Sequence, residues 1–257
     1  MAVVNIERRA DGIGRVAINR PDKRNALNDD VRNTLIAELP KLIGDDAVHA
    51  ILVTGEGGHF CAGGDIASME GLDSKGARAR MKANHQIVRM IAEAEKPVVT
   101  AIEGFAVGAG AGLAMLGDTA VIAEGGTIGF PFFKVGLIPD YGILHTLPRR
   151  AGGAKARQLL LYAKMVKASA AVEMGLADEL VAEGKAEETA IERALVLAAM
   201  PPFAFAIAKQ QLGLAPVKLE EALEMEALAQ AGCFGADEFQ EGFSAFMEKR
   251  APDFRKG

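Results

Sequence analysis

Apolar and polar residues alternate from Val3 to Arg8 and again from Arg15 to Asn19, on either side of Ala10-Asp11-Gly12. Alternation with a glycine-bearing turn between the two runs predicts a β-hairpin. The period then lengthens. Val31, Leu35, Leu39 and Leu42 fall on one face of a helix running from Asp29 to about Ile43, with Asn28 placed to cap it. Ile51–Val53 reads as a short buried strand and Thr54–Gly64 as a glycine-rich loop, and a second long helix is predicted over Lys75–Glu95, stopped before Pro97.

Val98–Ile102 and Thr119–Ala123 read as further buried strands. Between them lies a Gly/Ala-rich segment and a helix through Leu116, and Gly125-Gly126 turns the chain. From Gly142 onward the pattern is mostly helical, punctuated at Pro148, Gly152-Gly153, Gly184, Pro201-Pro202 and Pro216. Strand–helix alternation followed by a helical tail predicts an α/β core over residues 1–199 and a helical C-terminal region over residues 200–257.

Composition narrows the setting. The 257 residues are half hydrophobic and carry a formal charge of -5, which argues against a nucleic-acid partner held by electrostatics. Two cysteines make neither a disulfide framework nor a metal knuckle, and His49, His59 and His85 lack metal-ligand spacing. The sequence shows no signal peptide and no apolar run of the ~18 residues a membrane span needs. A cytoplasmic protein without a metal, a membrane or a nucleic acid is the expectation.

Two segments carry candidate chemistry. In Val98–Ala114 a buried strand feeds residues with almost no side chain and then a helix, which exposes backbone N–H groups to a negative charge. No Gly-Lys-Ser/Thr follows, so a P-loop is excluded. A dinucleotide fingerprint starting at Gly108 meets Leu113 where Gly or Ala is required, and one starting at Gly110 meets Met115. An oxyanion hole and plain close packing remain. His59–Met69 is a second glycine-rich loop entering a short helix, with Asp65 as its cap; with two such segments, small-residue N–H donors come from separate parts of the chain.

These segments, in order with others, resemble the enoyl-CoA hydratase/isomerase, or crotonase, superfamily. The similarity covers nearly the whole chain: Asn19-Arg20-Pro21, Arg24-Asn25-Ala26-Leu27, Ile51–Gly55, Phe60–Ile66, Lys96-Pro97-Val98, Glu103–Gly110, Gly136–Asp140, Gly175-Leu176-Ala177 and Glu241–Arg250. The resemblance implies an α/β spiral of β-β-α units, a C-terminal α-helical trimerisation region and a homotrimer or dimer of trimers. The substrate it implies is an acyl-CoA thioester, with coenzyme A part of the substrate and no separate cofactor.

By the same match the oxyanion donors are the N–H groups of Gly64 and Ala109. Arg24 and Ala26 fall where the family contacts CoA, and Ala62, Asp65 and Ile66 fall along the adenine pocket. Phe246 and Lys249 match tail residues that often reach CoA, sometimes on a neighbouring subunit, and Phe132 and Tyr141 are further candidates for binding the substrate.

The pattern also departs from the family. Its hydratases carry two glutamates, and the matching positions here are Gly112 and Phe132, neither of which transfers a proton. Asp140 matches an acidic position of several family isomerases, and Phe130, Phe132 and Phe133 are near it in sequence. A carboxylate in an apolar pocket would have a raised pKa suited to moving protons; a helix N-cap would have a lowered one. Double-bond isomerisation with Asp140 as acid and base is the expectation. The alternatives are a hydratase with a relocated acid/base, another acyl-CoA reaction (hydrolase, dehalogenase, decarboxylase), and a CoA-binding subunit without catalysis.

Overall fold

The computed structural model of the protein describes residues 2–214 and 217–255. It opens with the expected hairpin, β1 (Val4–Arg8) antiparallel to β2 (Ile13–Ile18). Helix α1 (Asp29–Ile43) follows, and the Asn28 side chain accepts a hydrogen bond from Val31 N at its start. Then come β3 (Ala50–Gly55), α2 (Ser74–Ala92), β4 (Val98–Ile102), β5 (Phe105–Val107), α3 (Ala109–Met115), β6 (Thr119–Ala123) and β7 (Thr127–Gly129).

The second half holds α4 (Ile143–Ala151), α5 (Gly153–Leu161), β8 (Met165–Lys167), α6 (Ala168–Glu173), β9 (Glu179–Val181) and α7 (Ala186–Ala198). A helical tail of α8 (Pro202–Leu214), α9 (Leu219–Phe234) and α10 (Asp237–Glu248) closes the chain. Four strands were not legible in the hydrophobic pattern: β5, β7, β8 and β9. Each is three residues long, too short to show alternation, and two of them interrupt the stretch expected to be mostly helical.

The strands form two sheets. One has six strands in the order β1-β2-β3-β4-β6-β9, parallel after the hairpin; the other has three in the order β5-β7-β8. The central strands are apolar throughout because both of their faces are covered. Leu52, Val99, Ala101, Val121 and Ala123 face α7, which meets them with Ala186, Ala190, Ala194 and Ala198 at one helical face. Alanine at each fourth position lets the helix lie close to the sheet. Ile51, Val53, Val98 and Ile102 face the other way, into the larger core with α1, α2 and α3. The α/β class and the C-terminal helices follow the expectation.

Candidate functional site

The two glycine-rich segments lie side by side. Cys61 N donates to Phe105 O at 2.8 Å and Val107 N to Cys61 O at 2.9 Å, a parallel bridge that fixes the loop after β3 against β5. On the other edge of the loop, Leu27 N donates to Gly63 O at 2.7 Å and Asp65 N to Leu27 O at 2.9 Å. Among the described residues the N–H groups of Gly64 and Ala109 donate to nothing, as do those of Gly63, Gly110 and Ala111; Gly64 and Ala109 are the two that the family match singles out. They are near neighbours, since a Cβ on Gly63 would stand 3.7 Å from Ala109 N and 2.8 Å from Val107 O. Gly63 also has φ of +102°, so glycine is required there on both counts.

Every residue of α3 is buried. Its small residues serve packing as well as access: a Cβ on Gly110 would run into the Cys61 carbonyl. One on Gly112 would meet Tyr141 Cβ at 2.5 Å and Tyr141 O at 2.9 Å. The first position where the family's hydratases carry glutamate is thus filled by the main chain of residue 141. The second, Phe132, is buried in a short 3-10 turn, and its ring edge lies 3.9 Å from where a Cβ on Gly108 would stand.

Asp140 lies in the turn before α4. The helix cap is Gly142, and the Asp140 carboxylate makes no capping bond; only its backbone oxygen accepts, from Ile143 N. Its Oδ1 is buried without a hydrogen-bond partner. Desolvation pushes its pKa up to about 6, against an opposing pull from Arg32 and Arg80. Tyr141 adopts the left-handed conformation at φ +49° and is buried. Its hydroxyl lies by the Arg32 guanidinium but makes no hydrogen bond of acceptable geometry, and burial raises its pKa.

Arg32 itself is fully engaged: Nε donates to Asn84 Oδ1, Nη1 to Asp29 and Nη2 to Leu27 O. It ties α1 to α2 and holds the carbonyl whose residue flanks the Gly64 loop. Arg80 on α2 is different. Its Nη1 donates to Ser68 O and Oγ, each at 3.0 Å, while Nη2 is buried with no partner. Arg80 is not among the candidates read from the sequence, because one arginine on a helix side carries no signal of its own, and only the fold turns it inward.

The residues expected to touch CoA fall into two groups. Arg24 and Asn25 have left-handed φ, and buried Asn25 holds that turn by accepting from Arg20 N and donating to Glu56 O. Ala62 N donates to Arg24 O at 2.9 Å, so the Arg24–Ala26 turn and the Ala62–Ile66 loop form one edge. The Arg24 guanidinium sits over the Phe105 ring at 5.6 Å. Asp65 caps the turn Ile66–Met69 and pairs with Arg20 at 2.9 Å, which holds its pKa down, and Ile66 is exposed.

Phe246 and Lys249 are at the far end of α10, which packs on α9, and Phe246 is exposed. Within one chain the structure does not bring them to the Arg24–Ala62 edge. His145 faces Arg149, exposed, and does not join Asp140. Glu103 accepts from Ala186 N at the start of α7, a structural role. Cys61 is packed in the core, where burial pushes its thiol up to about 12. No group of three or more His, Cys, Asp or Glu among the described residues could hold a metal ion, and no single described helix is long and apolar enough to cross a membrane.

With this geometry in place, comparison with known proteins is informative. A family model described as "Enoyl-CoA hydratase/isomerase" matches residues 8–257. The chain is 34% identical over 249 residues to a 1,2-epoxyphenylacetyl-CoA isomerase of Escherichia coli, with 95% of each protein covered. It is 33% identical over 248 residues to a crotonyl-CoA hydratase of Syntrophomonas wolfei, with 92% of each covered. Among solved structures, an enoyl-CoA hydratase from Bacillus anthracis superposes with a TM-score of 0.93 at 28% identity, covering 99% of this chain and all of that one.

Proposed function

The chain belongs to the enoyl-CoA hydratase/isomerase family and acts on acyl-CoA, and on that premise we propose that it moves a double bond within the acyl group rather than adding water across it. Asp140 is the base and the acid. Its carboxylate removes a proton from one carbon of the enoyl chain, and the electrons of that C–H bond pass through the double bond into the thioester carbonyl. The resulting dienolate oxygen accepts from the N–H groups of Gly64 and Ala109. Asp140 exchanges that proton with solvent and returns one proton to another carbon, so the substrate gains and loses none overall.

One observation carries this reading: position 112 has no room for a glutamate and position 132 is a phenylalanine, while Asp140 Oδ1 is buried without a hydrogen-bond partner. A pKa of about 6 suits a group that must both take and give a proton near neutrality. One relative is named an isomerase, of an epoxide rather than a double bond, and another a hydratase, so the choice rests on the site itself. The Arg24, Ala26, Ala62, Asp65 and Ile66 edge is the proposed CoA cradle, with Phe132 and Tyr141 walling the acyl group and Phe246 and Lys249 completing the cradle from a neighbouring copy.

The test follows enoyl-CoA thioesters in deuterated water by mass. Migration of the double bond, with deuterium uptake and no added water, is the expected result; addition of one water would replace this reading with hydration. Asp140→Asn should lower kcat at least 100-fold with CoA binding retained, in line with the ~10²–10⁴ typical of a lost general acid–base.

A further inference from the structure

An acyl pocket built for a plain hydrocarbon chain needs no hydrogen-bonding side chains beyond the acid/base itself. This one has more. Three side-chain atoms are buried without a hydrogen-bond partner among the described residues: Arg80 Nη2, Asp140 Oδ1 and the Tyr141 hydroxyl. They come from α2 and from the turn before α4, and Arg32, whose Nε holds Asn84 one turn along α2 from Arg80, also lies by the Tyr141 hydroxyl. A buried polar atom left unpaired costs about 1–3 kcal/mol, more for a charged group. Such an atom in a binding site is therefore matched by its ligand.

Arg80 is the most telling of the three. Its Nη2 stands 3.6 Å from the place of a Cβ on Gly64, only two bonds from one proposed oxyanion donor. Its other end is anchored, with Nη1 on Ser68 O and Oγ in the turn Ile66–Met69. The guanidinium is thus held by one nitrogen and presents the other, a donor that cannot be neutralised at any working pH. Asp140 does not take it as a partner, for no ion pair forms between them. What fits is an acceptor oxygen a few bonds beyond the thioester carbonyl.

We propose that the acyl group of the substrate carries its own oxygen function, and that Arg80 Nη2 binds it beside Gly64. This rests on the acyl-CoA reading of the Gly64–Ala109–Asp140 site and specifies which acyl groups it takes. Arg80 is on this account a specificity-determining residue: it touches the substrate but moves no proton. Tyr141 supplies a second donor on the Asp140 side of the same acyl group.

Binding of saturated thioesters tests this without any turnover. Butyryl-CoA is compared with 3-hydroxybutyryl-CoA, 3-oxobutyryl-CoA and succinyl-CoA by calorimetry, which separates hydroxyl, ketone and carboxylate oxygens. At least one oxygenated thioester should bind ten-fold or more tightly than butyryl-CoA. Arg80→Met should abolish that preference while leaving butyryl-CoA within about two-fold, since a buried Met keeps the packing of the arginine stem. Equal binding across the panel, or a preference that survives in Arg80→Met, overturns the proposal. Far-UV circular dichroism and the retained affinity for butyryl-CoA show that the variant is folded. The two readings fail separately: Asp140→Asn with full turnover sinks the isomerase reading, and the Arg80 panel is read at equilibrium whatever chemistry follows.

Discussion

At the scale of single residues, Asp140 carries a cost that can be measured. Its pKa in the folded protein, about 6, is above the ordinary carboxylate value of 3.8, so the folded state holds the proton more tightly than the unfolded one. A group raised in this way contributes stability that is fully present below pH 3.8 and lost as the pH rises through 6. At neutral pH the buried carboxylate therefore destabilises the fold, by about 2 kcal/mol after allowing for its partial contact with solvent. Asp140→Asn should raise Tm by roughly 5 °C at pH 7.5, and the gain should shrink to nothing by pH 4 in calorimetric scans. The same group predicts that kcat/KM of the wild type rises with pH through an apparent pKa near 6, and that this limb disappears in the variant. A carboxylate serving only as a helix cap would instead lower Tm in the variant and give no limb near pH 6 in kcat/KM.

The same residues show where sequence stops being informative. Gly64 and Ala109 could be named as candidates because a donor that is a backbone N–H requires a small side chain, and small side chains are visible in the text. Asp140 was legible as a candidate, but its two roles have opposite electrostatic signs and only the position of Gly142 separates them. Arg80 was not legible at all, because its role depends on a contact with Gly64 that no spacing along the chain encodes. Phe246 and Lys249 were legible only by resemblance.

At the scale of elements, α3 shows how a run of small residues serves two needs at once. Gly110 and Gly112 let the helix lie against Cys61 and Tyr141, and that contact leaves no room for a Cβ. Gly112→Ala should cost about 1–3 kcal/mol by overpacking, seen as a drop in the urea midpoint with an unchanged slope. The helix breaker reading of glycine would predict the reverse, since alanine has the higher helix propensity by about 1 kcal/mol. The strands β5, β7, β8 and β9 teach a related point: three-residue pairings are stabilised by neighbours distant in sequence, and no local pattern announces them.

For the whole molecule, the helical tail is joined to the core through a partly buried ion pair. Lys209 on α8 donates to Asp118 at 2.8 Å and to Lys96 O at 3.2 Å, with the lysine side chain only 7% exposed. Asp118 also accepts from Val98 N at the start of β4. Removing the amine leaves a desolvated carboxylate, so Lys209→Met should cost about 3 kcal/mol and speed hydrogen exchange in α8 more than in β3 or β4. Phe203, Phe239, Phe243 and Phe246 line a hollow of about 370 Å³ in the tail, and Leu212 and Leu228 are exposed. Such apolar surface is in keeping with the proposed trimer, which light scattering checks.

The close seating of Gly112 on the main chain of Tyr141 also limits what position 112 can hold. A glutamate placed at position 112 would have to displace the backbone of 141, and with it the turn that carries Asp140. On the proposed reading the two arrangements therefore compete for one space: a carboxylate at 112 and the present turn around Asp140 exclude one another.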